Sequence, residues 1–238
     1  YQAADMSQNQ AVRFNTTWKV LQQSSDNLLQ TFGMSAALLQ NESGEKVLAV
    51  RGTAGVVDIL TDLIDIAALG SVQAMPQYAA LLSFYNELIS TGKLTQSESI
   101  TVTGHSLGGF LAQAFTVDHP FNVSATYTYN APGFGGGLVE MASFLGIADS
   151  SIYNSRIFNA RAHDGQSATA GLGTVIGSVQ TVRIEGGTAN PIAYHSIATI
   201  TDSLAVYGAY AALQPNASIE DISKILVAAG GGNRRVEN

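Results

Sequence analysis

The sequence contains no cysteine among its 238 residues. Without cysteine the chain forms neither disulfide bonds nor thiolate metal sites. It also has no apolar run approaching the roughly 18 residues that a membrane-spanning helix needs. Hydrophobic residues make up 46% of the chain, which is enough for a sizeable core at this length. The sequence therefore predicts a globular fold that is stabilised by its core without covalent cross-links.

Basic charge is scarce as well. The chain has 11 Lys and Arg against 18 Asp and Glu, a net charge of −7, and only 12% charged residues. Nucleic-acid binding depends on Lys and Arg contacting phosphates, so this balance argues against a nucleic-acid partner. It also gives no long-range attraction to anionic membranes. Low charge together with 24 glycines suits close packing of helices on a sheet, and it also suits a protein that works at an apolar interface.

The first five residues, Tyr1 to Asp5, lack the features of a signal peptide. We expect a secreted protein whose signal peptide has been removed, while a cytoplasmic location and an origin as an excised domain stay open. The length favours one domain over residues 1–238. Residues 230–238 read as a tail or linker.

The order of the predicted elements favours an α/β fold. Strands are predicted at 35–40, 46–51, 99–103, 123–129, 156–160 and 180–185, the first two as a hairpin. Helices are predicted at 7–32, 56–69, 76–92, 110–117, 196–213 and 218–229. A strand, turn, helix and strand in succession indicate parallel strands joined by crossover helices. The expected architecture is a mostly parallel central sheet with helices on both faces.

Residues 104–108 fit the G-x-S-x-G pattern of a nucleophilic serine. In that pattern the serine sits on a strained strand-to-helix turn, and close neighbours require the flanking glycines. Here it follows a predicted strand and precedes an apolar helix, which is the context that distinguishes it from an ordinary glycine-rich turn. We therefore predict Ser106 as the nucleophile, and the backbone N–H of Leu107 as one donor of an oxyanion hole.

A serine hydroxyl needs a base, and in α/β-hydrolases the chain order is serine, acid, histidine. Of the four histidines only His195 falls late enough. His105 adjoins the nucleophile and cannot fold back as its base, His119 directly follows the nucleophile helix, and His163 precedes a candidate acid. The sequence therefore predicts His195 as the general base.

The acid of a triad must lie between the nucleophile and the base. Asp118 ends the nucleophile helix, which points away from the site. Asp149 lies in a polar segment that also reads as a turn, whereas Asp164 follows the strand predicted at 156–160. The residues by themselves leave four alternatives: Asp164, Asp149, Glu140 and Glu185.

Four segments carry a resemblance to one known family. Residues 104–109 read GHSLGG, residues 50–53 read VRGT, residues 58–63 read DILTDL and residues 129–133 read YNAPG. Together they resemble the class 3, or fungal-lipase-like, lipase family of the α/β-hydrolase superfamily. The likeness runs from about residue 35 to residue 200, which is most of the chain.

This resemblance implies an α/β-hydrolase fold and hydrolysis of lipid carboxylic esters, with triacylglycerol as the model substrate and no cofactor. It favours Asp164 as the acid, because the family acid sits in an "N…D" loop after a strand, with Asn159 as the Asn. Gly165 stands where the family often has Pro, which keeps Asp149 open. The resemblance also implies Thr53 as the second oxyanion donor.

The remaining expectations concern partners and alternatives. We expect a lipid or ester substrate with transient contact to a lipid interface, and residues 54–75 read either as a lid helix or as a core helix. No metal site is expected, because Asp58, Asp62 and Asp65 share one helix face without a histidine and read as a solvated surface. Alternative functions are a phospholipase A1, a soluble carboxylesterase, acyl transfer to an alcohol, and a non-catalytic hydrolase-like binding domain.

Overall fold

A computed structural model of the chain describes residues 7–27, 33–52, 75–134, 151–162, 175–184 and 195–232. These residues form one seven-stranded sheet in which the spatial order of the strands follows their order along the chain. The strands are β1 Trp18–Gln23, β2 Ser35–Asn41, β3 Lys46–Arg51, β4 Ile100–His105, β5 Val123–Tyr129, β6 Ile157–Ala162 and β7 Ser178–Val182.

The sheet is antiparallel at one side and parallel over the rest. Strand β2 pairs antiparallel with both β1 and β3, so the predicted hairpin is confirmed. From β3 to β7 every pairing is parallel. Parallel neighbours need long crossover connections, and the mostly parallel sheet expected from the sequence is confirmed.

The described helices are α1 Gln8–Thr17, α2 Pro76–Ser90, α3 Leu107–Asp118, α4 Ser151–Asn154, α5 Ile197–Leu213 and α6 Ile219–Gly232. Pro76 opens α2 at the first helical turn, where its missing N–H costs no hydrogen bond. Helix α6 includes residues 230–232, which were predicted as part of a tail or linker, and residues 233–238 lie outside the described residues. Within the described part of the chain, no helix is long and apolar enough to cross a membrane.

The helix predicted over residues 7–32 is wrong over residues 18–23, and residues 28–32 lie outside the described residues. Helix α1 ends at Thr17, and the next six residues form β1, which pairs with β2. Helix α1 has no buried residue, and Val12, which was predicted to face inward, is 57% exposed. The reason is tertiary, because the free edge of β2 offers a ladder of backbone hydrogen bonds that outweighs the local helical pattern.

Helix α3 covers the first face of the sheet. All of its residues from Leu107 to Val117 are buried. They pack in one cluster with Leu48 and Val50 of β3 and with Val102 of β4. These strand residues are spaced two apart or lie opposite each other, and side chains two apart on a strand point to the same face. Helix α2 packs against the same cluster with further apolar side chains, including Leu81, Phe84 and Leu88.

Helices α5 and α6 cover the opposite face. Ile200 of α5 clusters with Ala162 of β6 and Ile184, while Tyr207 and Ile222 pack around Val182 of β7. Helices on both faces are therefore confirmed. As a result, the carboxyl ends of β4, β5 and β6 meet the beginnings of α3 and α5 at one edge of the sheet.

Asn159 joins three strands inside the sheet. Its Oδ1 accepts a hydrogen bond from the Thr128 hydroxyl at 2.7 Å, and its Nδ2 donates to the carbonyl oxygens of Ile176 at 2.8 Å and Ser178 at 3.0 Å. A buried amide that makes all these bonds avoids the cost of an unpaired polar group. Asn159 thus fixes β6 between β5 and β7, and with it the origin of the loop that follows β6.

Candidate active site

Ser106 occupies a strained turn between β4 and α3. Its backbone has φ 56° and ψ −127°, a region that a residue with a side chain rarely adopts. Two bonds hold it there: its N–H donates to the Tyr129 carbonyl at 2.9 Å, and its own carbonyl accepts from the Phe110 N–H at 3.1 Å. Such strain persists only where surrounding structure enforces it, and it is concentrated at functional sites.

The glycines of the motif allow backbone to touch backbone around this turn. A Cβ on Gly104 would overlap the carbonyl of Gly108, and a Cβ on Gly108 would overlap the carbonyl of Val50 and come within 2.8 Å of the Gly52 nitrogen. A side chain at Gly104 would push the start of α3 away from β4, and one at Gly108 would push it away from the end of β3. The expected steric reason for the two glycines is therefore visible in the structure.

We predict that Gly108→Ala destabilises the protein by about 1–3 kcal/mol, because the new methyl group meets backbone that cannot rotate away. Gly208→Ala is the matched control, since a Cβ there would meet nothing within 4 Å. At that helical position alanine should leave stability unchanged or raise it by about 0.5–1 kcal/mol. Urea unfolding of both variants measures the difference, and equal stabilities would contradict the close-approach argument.

His195 lies two residues before the first residue of α5 and faces the serine. The distance between its Nε2 and the Ser106 Oγ is 2.8 Å. Ser196 caps α5, since its hydroxyl accepts from the Ala198 N–H at 3.2 Å, and this cap fixes where the helix begins. His195 is 2% exposed and Ser106 3% exposed, so the pair is shielded from bulk water.

The imidazole of His195 is held in its neutral form. Burial lowers the pKa of His195 to about 4, and the neighbouring His105 contributes to the lowering. Burial also lowers the pKa of His105, with a partial opposing effect from its hydrogen bond to the His195 backbone. A neutral imidazole at pH 7 can accept a proton, which a general base must do.

Two further side chains reach the backbone of His195. The Nε2 of His105 lies 2.6 Å from the His195 carbonyl oxygen, and the Nδ2 of Asn130 lies 3.4 Å from the same atom. Asn130 has φ 46°, and its Oδ1 accepts from the Ala162 N–H at 2.8 Å. From the sequence, His105 was not expected to act as the base, and Asn130 was assigned no role. The sequence did offer a signal for Asn130, because it is an asparagine directly after a predicted strand, and asparagine tolerates left-handed backbone.

Asp118 and His119 lie at the far end of α3 from Ser106. A helix of this length spans about 18 Å at 1.5 Å per residue. The Asp118 carboxylate accepts a hydrogen bond from the Tyr78 hydroxyl at 2.9 Å, and His119 is the C-cap of the helix. Both residues are therefore remote from Ser106, in agreement with their rejection as acid and base.

Among the predicted site residues the structure brings together Ser106, Leu107 and His195. Leu107 is the first residue of α3, and the first N–H groups of a helix have no partner within it. Several predicted positions lie outside the described residues: Thr53, Asp164, Asp149, Glu140, Glu185, His163, the three aspartates at 58, 62 and 65, and the whole apolar segment except Met75. Within the residues that are described, no group of three His, Asp or Glu side chains could hold a metal ion.

Comparison with known proteins identifies similar structures but no sequence relatives. No family model matches the chain, and no curated protein sequence matches it. Lip2 lipase from Yarrowia lipolytica superposes with a TM-score of 0.52 at 20% identity, over 74% of this chain and 68% of that chain. Lipase II from Rhizopus niveus gives 0.51 at 17% identity, over 76% of this chain and 72% of that chain. At such identities the similarity establishes the fold, and the chain has the α/β-hydrolase fold of these fungal lipases.

Proposed function

We propose that the protein is a serine esterase that hydrolyses carboxylic ester bonds of lipids through an acyl-enzyme on Ser106. The observation that carries the proposal is the 2.8 Å separation of the Ser106 Oγ and the His195 Nε2 on a strained strand-to-helix turn. A base must lie within about 2.6–3.2 Å of the proton donor to remove its proton. The names of the two similar structures, both lipases, support a lipid ester as the substrate.

The reaction follows from this pair. Ser106 Oγ attacks the ester carbonyl carbon while its proton passes to His195 Nε2, which gives a tetrahedral oxyanion. The intermediate collapses as the C–O bond to the alcohol breaks, and the alcohol leaves with the proton from His195. Water then attacks the acyl group on Ser106 with His195 again accepting a proton. Release of the carboxylic acid returns both side chains to their starting state.

The oxyanion needs donors, and the beginning of α3 supports Leu107 as one of them. Gly52 packs against that helix start, because a Cβ on it would come within 2.6 Å of the Leu107 Cβ and 2.7 Å of the Gly108 nitrogen. Thr53 follows Gly52, and consecutive Cα atoms are about 3.8 Å apart. The end of β3 therefore supports Thr53 as the second donor, through its N–H.

The carboxyl end of β6 supports Asp164 as the acid. Ala162, the last residue of β6, donates to Asn130, whose amide reaches the His195 carbonyl. Asp164 follows Ala162 by two residues, a span of at most about 7 Å, and this short span supports Asp164 as the acid. Asp149 has less support, because the described helix that follows it in sequence, Ser151–Asn154, leads into the end of β6 opposite to Ala162. In the proposed triad Asp164 accepts the Nδ1–H of His195 and stabilises its cation.

The test is covalent labelling with a fluorophosphonate followed by an ester panel. Only an activated serine reacts with such a probe at an appreciable rate. We expect one label per chain, on Ser106, and hydrolysis of triacylglycerol and of long-chain 4-nitrophenyl esters, with the Ser106→Ala variant as the blank. Absence of labelling would contradict the enzyme proposal and favour a binding domain. Labelling with preference for phosphatidylcholine, or for short soluble esters, would keep the mechanism and move the substrate to a phospholipase or carboxylesterase.

A further inference from the structure

We infer that His105 is a positioning residue, which holds the catalytic base in place by donating a hydrogen bond to the backbone carbonyl of His195. The inference rests on the proposed function, since it assigns His105 a part in keeping the Ser106–His195 pair together. The observation behind it is the 2.6 Å distance between the His105 Nε2 and the His195 carbonyl oxygen.

The chemistry of the two atoms fixes the direction of this bond. A carbonyl oxygen carries lone pairs and no proton, so the His105 Nε2 must be the donor. Burial lowers the pKa of His105, which leaves a neutral ring with a single proton. That proton must therefore sit on Nε2, and the bond selects one tautomer of His105.

Both side chains that contact the His195 carbonyl come from strand ends next to Ser106. His105 is the last residue of β4 and directly precedes Ser106. Asn130, the second side chain on the same carbonyl, directly follows β5, whose Tyr129 carbonyl accepts the Ser106 N–H. Both donors thus arise from the strand ends that hold the serine, so the serine and the base share one rigid frame.

The hydrogen bond from His105 to the His195 carbonyl restrains the backbone of His195, which the contact with Ser106 does not. The Ser106 Oγ contacts one ring nitrogen of His195, but the position of the ring also depends on the backbone that carries it. A bond to the carbonyl fixes the peptide plane after His195, directly before the Ser196 cap of α5. The rings of His105 and His195 also lie 4.8 Å apart at 44°, so His105 supports the base by packing as well as by its N–H. Loss of about 1 Å of alignment between reacting groups costs on the order of 100-fold in rate.

A matched pair of variants separates the donor from the packing. His105→Gln places an amide N–H near the position of the imidazole Nε2, while His105→Met has a similar length and no donor. We expect His105→Met to lower kcat by about 10- to 100-fold with KM changed by less than about threefold, the pattern of an interaction that acts on the chemical step. His105→Gln should recover most of that loss. The rate of fluorophosphonate labelling should fall in parallel with kcat for 4-nitrophenyl butyrate, since both depend on the base.

Equal kcat values for the glutamine and methionine variants would overturn the inference, whether both are active or both impaired, because the donor would then have no separate effect. If His105→Met does not fold, His105→Leu takes its place as the variant without a donor, and a kcat equal to that of His105→Gln would again overturn the inference. The wild type separates this result from failure of the proposed function. A wild type that takes up no fluorophosphonate at Ser106 contradicts the esterase proposal. A labelled wild type whose His105 variants have equal kcat values contradicts only the role of His105.

Discussion

Replacement of Ser106 by alanine is expected to lower kcat by about 10⁶ while leaving substrate binding nearly unchanged. The variant removes the oxygen that forms the acyl bond in the proposed mechanism. His195→Ala should cause a similar loss, because without the base the hydroxyl keeps its proton. The double variant should be no worse than either single one, since the pair acts as a unit.

The measurement is kcat and KM with a soluble 4-nitrophenyl ester and with triacylglycerol, on samples whose thermal unfolding matches the wild type. Ser99→Ala is the control, because Ser99 is an exposed serine before the start of β4, at the opposite edge of the sheet from Ser106. A Ser106→Ala variant with more than about one hundredth of wild-type kcat would exclude an acyl-enzyme at this residue.

Replacement of Asp164 by asparagine is expected to lower kcat by about 10⁴. Asparagine keeps the size of the side chain but offers a donor where an acceptor is needed, so the imidazole adopts the wrong tautomer. The matched variants are Asp149→Asn, Glu140→Gln and Glu185→Gln, which remove the three other acidic candidates with equally small changes of shape. Near-normal activity of Asp164→Asn with loss in Asp149→Asn would transfer the role to Asp149.

The pH profile gives the same variant an independent readout. His195 must be neutral to accept a proton, so activity is full above its pKa and is lost as the pH falls through it. Burial and His105 lower that pKa to about 4, whereas a carboxylate at Nδ1 favours the cation and raises it. The acid limb of kcat/KM should therefore lie at higher pH in the wild type than in Asp164→Asn. Coincident acid limbs would mean that Asp164 does not contact the base.

The central part of the fold was predictable from sequence because its elements carry strong local signals. Strand β5 was predicted with its observed bounds, since its aromatic and β-branched residues alternate. Helix α2 was predicted from a proline at its start and a glycine just past its end, where Gly92 has φ 69°. Strand β1 was missed because residues 18–23 have no local turn before them, and only pairing with β2 makes them a strand.

The residues of the candidate site also differ in how far they can be predicted from sequence. Ser106 was predicted as the nucleophile because a strained turn requires glycines at fixed spacing beside the serine, and this pattern spans only a few consecutive residues. Asn130 and His105 were not identifiable as partners of His195, because their roles arise from contacts across 65 and 90 residues of sequence. Such contacts depend on the register of the strands in the sheet, which cannot be predicted from any single segment of the sequence.

By itself the sequence determined the strand-to-helix turn and led to the predictions of Ser106 as nucleophile and His195 as base, because each follows from local sterics or from chain order. Only the tertiary structure decided that Ser106 Oγ and His195 Nε2 lie 2.8 Å apart and that the backbone of His195 is held from two strand ends. The physical reason is that local preferences act over a few residues, whereas the distance between residues 106 and 195 is set by parallel pairing of β4, β5 and β6 and by the helices packed on both faces.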